Sequence, residues 1–172
     1  MNRQLKVKTV LSVLYDLHKH LQTPEATSEK FFNKIRITCQ TVFDFDLFTL
    51  FQFDYLQKNQ VIMYTYGVPY NLLDAVNFRL GKGAANWIMQ HKRALLISDA
   101  KRISDSEKKM VNSFLGVPII FADYLIGTVV MGSYRPSAFA KEDQFLLELV
   151  SDYFGNLMMK SQWLPEKILE EA

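Results

Sequence analysis

Apolar residues at Val7, Val10, Leu14, Leu17 and Leu21 follow a strict three-then-four spacing, with Leu11 and Val13 widening the stripe, and this period predicts a helix over residues 5–21. The next stretch, QTPEATSEKFFNKIRITCQTVF, predicts a second helix. Thr23 can cap it, Pro24 suits the first helical position and Glu25 complements the helix dipole, while Phe32, Ile35, Cys39 and Val42 fall on one face. From Asp46 the period changes. DLFTLFQFD and QVIMYTYG are short β-branched and aromatic runs separated by the turn-prone LQKNQ, a hairpin pattern. In the first run Leu47, Phe51 and Phe53 point one way and Phe48 and Leu50 the other, so both sheet faces are expected to be covered.

Beyond a loop around VPYNLLDAV, the segment NFRLGKGAANWIMQHKRALLISDAKR reads as a short strand, a glycine turn, a helix from about Lys82 to Gln90 and a strand over Ala94–Ser98. KRISDSEKKM is polar and charged, the pattern of a solvated loop or short helix. Residues 112–150, NSFLGVPIIFADYLIGTVVMGSYRPSAFAKEDQFLLELV, are the most legible stretch: two apolar runs around a short polar turn, then a helix expected to end before Pro165. Neither run carries an alternating polar face, which again asks for cover on both sides. No repeat or low-complexity linker breaks the pattern, and PEKILEEA reads as a loose end or the start of a connector.

Composition bounds this picture. With 172 residues, 49% hydrophobic and 22% charged, the chain falls in the range of one globular domain with a real core. A formal charge of +2 gives no field strong enough to imply nucleic acid or an anionic membrane as a partner. No apolar run approaches the roughly 20 residues that cross a bilayer, and the first segment lacks a small-residue cleavage site after its apolar part, so a cytoplasmic location is expected. Cys39 is the single cysteine, which excludes an intrachain disulfide, and no Cys/His cluster has zinc spacing.

The element order, together with FDFDLFTLFQFD (43–54), LGKGAANWIMQHKRALLISDA (80–100), FLGVPIIFADYLIGTVVMGSYRP (114–136) and FAKEDQFLLELV (139–150), resembles a GAF domain. The resemblance covers the chain from about residue 25 to 163 and rests on four motifs in the right order. It implies an α+β fold: an antiparallel six-stranded sheet, the first, second and last helices on one face, and a pocket with short helices on the other. It also implies a division into an N-terminal dimerisation helix (1–22), the GAF domain (23–164) and a C-terminal tail (165–172). A PAS domain, the runner-up, would place helices between the second and third strands and lacks two leading helices. One departure stands out: Ala140 occupies the position where the family usually has Ser or Thr as a helix cap. Its absence costs about 1 kcal/mol unless Ser137 or solvent substitutes.

The family's chemistry can be looked for residue by residue. Reduction of free methionine sulfoxide needs a nucleophilic and a resolving thiol, and only Cys39 exists, on an apolar helical seam. Covalent bilin attachment needs a pocket Cys. Haem needs an axial ligand, and the one His outside the first helix, His91, reads as a cation at a helix C-terminus. His18 and His20 lie two apart, on different helix faces, and cannot chelate one metal together. LGKG lacks the full P-loop and reads as a turn before a helix, one that would still present free N–H groups to a ligand. GSYRPSAFAKED lacks the N-K and F-D-E signature of cyclic-nucleotide-binding members.

By position, the resemblance puts ligand-lining residues at Thr49, Tyr66, Ala84, Ala85, Asp99, Val111 and Val130. The expectation is a sensory or regulatory domain, not an enzyme, that binds a small molecule non-covalently with no metal. It would signal through a homodimer interface. The alternative is a ligand-free dimerisation or protein-docking module whose pocket is filled by its own aromatics, 13% of the chain, including Phe48, Phe51, Phe53, Tyr64, Tyr66, Phe78, Trp87 and Phe114. The dimer is expected through the first and last helices. The apolar stripe of the last, from Phe145 through Leu149 to Met158, is too wide for one sheet face alone.

Overall fold

Each apolar hairpin of the sequence forms a strand pair. The computed structural model describes residues 3–20, 28–67, 83–99 and 111–160. In chain order these hold α1 (Arg3–His20), α2 (Ser28–Gln40), β1 (Leu47–Asp54), β2 (Asn59–Tyr66), α3 (Gly83–His91), β3 (Leu95–Ile97), β4 (Ser113–Phe121), β5 (Tyr124–Ser133) and α4 (Lys141–Lys160). The strands make one sheet in the order β2-β1-β5-β4-β3, and every neighbouring pair is antiparallel. Among the described residues the sheet therefore has five strands, not six. The sixth is expected in NFRL, and residues 77–80 lie outside the described residues, as do the Thr23, Pro24 and Glu25 cap signals, Phe78, the loop around VPYNLLDAV, KRISDSEKKM and the 165–172 tail.

Residues directly opposite one another share a sheet face, so the register assigns the two sides. Phe48, Met131 and Leu115 lie across from one another, as do Leu50, Val129 and Val117, and this side packs against α1, α2 and α4. Phe32, Ile35, Cys39 and Val42 line the α2 seam as their spacing predicts, and with Phe154 and Met158 of α4 they complete the main core. Thr49, Val130 and Gly116 share the other side with Leu47, Gly132 and Phe114, and α3 covers it. Both faces of β4 and β5 are thus buried, which explains their uninterrupted apolar runs.

β3 is shorter than the Ala94–Ser98 run suggests. Continuing its register would set Arg93 opposite Pro118, which has no N–H to give, and the Pro118 carbonyl is already taken by the Ser151 hydroxyl of α4 at 2.5 Å. The last helix solves its missing cap from within. Asp143, three residues into the turn, accepts a hydrogen bond from the Ala140 N–H at 2.9 Å, the carboxylate half of a capping box. Among the described residues no helix is long and apolar enough to cross a membrane.

Candidate functional site

α3 begins at Gly83, whose φ of 72° is a left-handed conformation that glycine adopts without strain, and among the described residues nothing lies within 4 Å of the point where a Cβ would stand. One face of the helix then meets the sheet. Ala84 is buried, and one turn on Ile88 is fully buried against β4. The floor beneath it is Gly116: a Cβ there would lie 2.5 Å from Ile88 Cδ1 and 3.1 Å from the Phe114 ring. Phe51 and Val130 complete a cluster separate from the main core, flanked by the half-buried Ala85 and Trp87. At the C-terminal end His91 Nδ1 donates to the Trp87 carbonyl at 2.8 Å and the two rings stack at 4.4 Å, so His91 closes the helix as its position predicts.

A polar bridge fastens the helix to the strands. Gln60 Nε2 donates to the Ala85 carbonyl at 3.0 Å, while Gln60 Oε1 accepts from the fully buried Thr128 hydroxyl at 2.7 Å. Beside it the Thr49 and Thr65 hydroxyls lie 3.3 Å apart. Sequence reasoning missed Gln60, Thr65 and Thr128. The available signal was a lone hydroxyl or amide set into an otherwise apolar strand, which must find a partner once buried.

Of the seven positions named from the sequence, Thr49, Ala84, Ala85 and Val130 come together between α3 and the sheet. Val111 is buried at the end of the same side, beside Gly132 and Leu47, and Asp99 is exposed just past β3. Tyr66 is placed elsewhere. It pairs with Phe48 and lies on the opposite face, its ring 4.4 Å from the Arg36 guanidinium of α2. The cause is a bulge: from Asp54↔Asn59 an uninterrupted ladder would set Tyr66 across from Leu47, on the α3 side, but Met63 is left unpaired and the register beyond it moves by one.

Chemically this side offers hydroxyls, an amide and small apolar surfaces. Cys39 lies in the other core, fully buried, where desolvation pushes its thiol far above the ordinary range and keeps it protonated. Among the described residues no group of three His, Cys, Asp or Glu could hold a metal ion.

A family model described as GAF domain matches residues 35–159. Among curated proteins no sequence matches. Similar solved structures include the GAF domain of a phosphoenolpyruvate-protein phosphotransferase from Coxiella burnetii, at 17% identity and a TM-score of 0.71, covering 94% of this chain and 97% of that one. A putative GAF sensor protein from Burkholderia vietnamiensis is 20% identical, with a TM-score of 0.70 and coverage of 91% and 92%. A free methionine-R-sulfoxide reductase from Neisseria meningitidis, in complex with its substrate, is 13% identical, with a TM-score of 0.68 and 90% of each chain covered.

Proposed function

The chain belongs to the GAF domain family, and from that premise we propose that it is a sensory or regulatory module: a small molecule binds non-covalently between α3 and the sheet, and the change passes to a dimer interface built from α1 and α4. The observation that carries this reading is the way α3 is held. Among the described residues it rests on a small cluster of its own, over a glycine floor, and a glutamine side chain bridges it to the strands. An element so tethered can shift at little cost, while the larger core on the other face stays fixed. The small residues Gly83, Ala84 and Ala85 at its start support the reading, since they leave little side chain between a ligand and the backbone N–H groups of the first turn.

The reading assigns no catalysis. The one thiol is buried and protonated, so the nucleophile that a sulfoxide-reducing site requires has no counterpart here. Signalling through the helices is supported by apolar side chains left in water, Leu11 and Tyr15 on α1 and Phe145 and Leu149 on α4.

The competing reading is a docking module with a self-filled pocket, favoured by the full burial of Ile88 over Gly116. Native mass spectrometry of gently purified protein separates the two. A retained small molecule that disappears in a folded Ala85→Leu variant supports the sensor. No retained mass, with no thermal shift across a metabolite panel in either protein, gives the docking module.

A further inference from the structure

A cavity of about 450 Å³ lies beside the second half of β4, which pairs with β5 on one edge and lies beyond the reach of the short β3 on the other. Its floor is apolar: Ala94, Pro118 and Ile120, all partly exposed. The chain leading into β3 supplies one wall with Lys92 and Arg93. α4 supplies the other, with Lys141 and Gln144 near its start and then Glu148 and Asp152.

The charges of the two walls do not satisfy each other. Lys92 Nζ donates to the Asp123 carbonyl, Lys141 Nζ to Gln144 Oε1, and Gln144 Nε2 to Glu148. Among the described residues neither Arg93 nor the Asp152 carboxylate has a hydrogen bond or ion pair. Asp152 instead lies one helical turn from Glu148, and burial and that like charge both push its carboxyl upward. A carboxylate pair without its cation thus shares a groove with cations lacking a carboxylate, over an apolar floor.

We propose that this groove binds a free α-amino acid with an aliphatic side chain, its ammonium on Glu148 and Asp152, its carboxylate toward Arg93 and Lys92, and its side chain on Ala94, Pro118 and Ile120. Such a ligand carries both charges a few ångströms apart and spans the gap between walls that do not meet. A simple anion or cation would satisfy one wall and be repelled by the other. The site is separate from the ligand position proposed between α3 and the sheet, and an occupant would touch α4 directly.

The test is a ¹⁵N–¹H titration of the full chain with L-leucine, N-acetyl-L-leucine, which lacks the ammonium, and L-leucinamide, which lacks the carboxylate. L-leucine should move the amides of Arg93, Ala94, Glu148 and Asp152, and each blocked form should bind at least about tenfold more weakly, a loss of roughly 1.4 kcal/mol. Asp152→Asn and Arg93→Gln should each weaken L-leucine by a similar factor. Both residues are exposed, so neither variant should lose the fold or melt below the parent. Equal binding of all three compounds, shifts confined to α3, or no response to L-leucine at tens of millimolar overturns the proposal.

Discussion

Gly127 has no room for a side chain. It pairs with Gln52 across β1 and β5, and a Cβ there would stand 2.0 Å from the Phe51 carbonyl oxygen. Backbone in mid-sheet cannot retreat as a side-chain tip can, so Gly127→Ala is expected to cost about 3 kcal/mol, read as a lower urea midpoint at unchanged slope. Asp152 is a residue whose effect has a sign set by pH. Its carboxyl is raised by burial and by Glu148, so the folded chain binds that proton more tightly than the unfolded one. The charged form therefore opposes folding above the folded pKa, and the penalty disappears as pH falls through it. Asp152→Asn should stabilise the protein near neutrality by about 0.3 kcal/mol, the scale of an exposed pair one turn apart, and the gain should vanish by about pH 3. Urea midpoints at the two pH values decide it; an equal gain at both would mean the charge is not its source.

At the scale of elements, α4 holds half a capping box. Asp143 reaches back to the Ala140 N–H, while Ala140 answers the first turn with its carbonyl alone, which accepts from the Asp143 and Gln144 N–H groups, and has no side-chain oxygen to add. Ala140→Ser should supply that half and raise stability by about 1 kcal/mol, seen as a higher thermal midpoint and slower amide exchange at the start of α4. The lack of a Ser or Thr cap was legible in the sequence, and so were the strands, because alternation and apolar runs report burial directly. What covers α4's start was not read, since it depends on a side chain folding back rather than on a residue type at one position. The bulge at Met63 was also beyond reach: one extra residue in NQVIMYTY leaves the apolar pattern intact yet carries Tyr66 from the α3 side to the α2 side. Four of the seven positions drawn from the family resemblance still meet under α3, because β1, β5 and the start of α3 keep simple register.

For the whole molecule, the two helices proposed to meet a second copy present their apolar residues one turn apart. Leu11 and Tyr15 are 58% and 59% exposed on α1, and Phe145 and Leu149 are 65% and 43% exposed on α4. Phe145→Glu combined with Leu149→Glu should give a monomer by light scattering at concentrations where the parent is a dimer, with the fold intact because neither side chain belongs to the core. A parent that is already monomeric would remove the interface. How any signal leaves the domain is constrained by the contact of α4 with β4. Ser151 donates to the Pro118 carbonyl, and one turn on Gly155 lies so close to the strand that a Cβ would come within 2.8 Å of the Ile120 carbonyl oxygen. The helix is keyed to the strand along that line. Rolling about its own axis would swing a bulkier neighbour into the backbone, whereas a tilt of β4 carries the helix with it. Torque is thus blocked and rigid displacement transmitted, so the far end of α4 behaves as a lever arm whose fulcrum is a serine and a glycine.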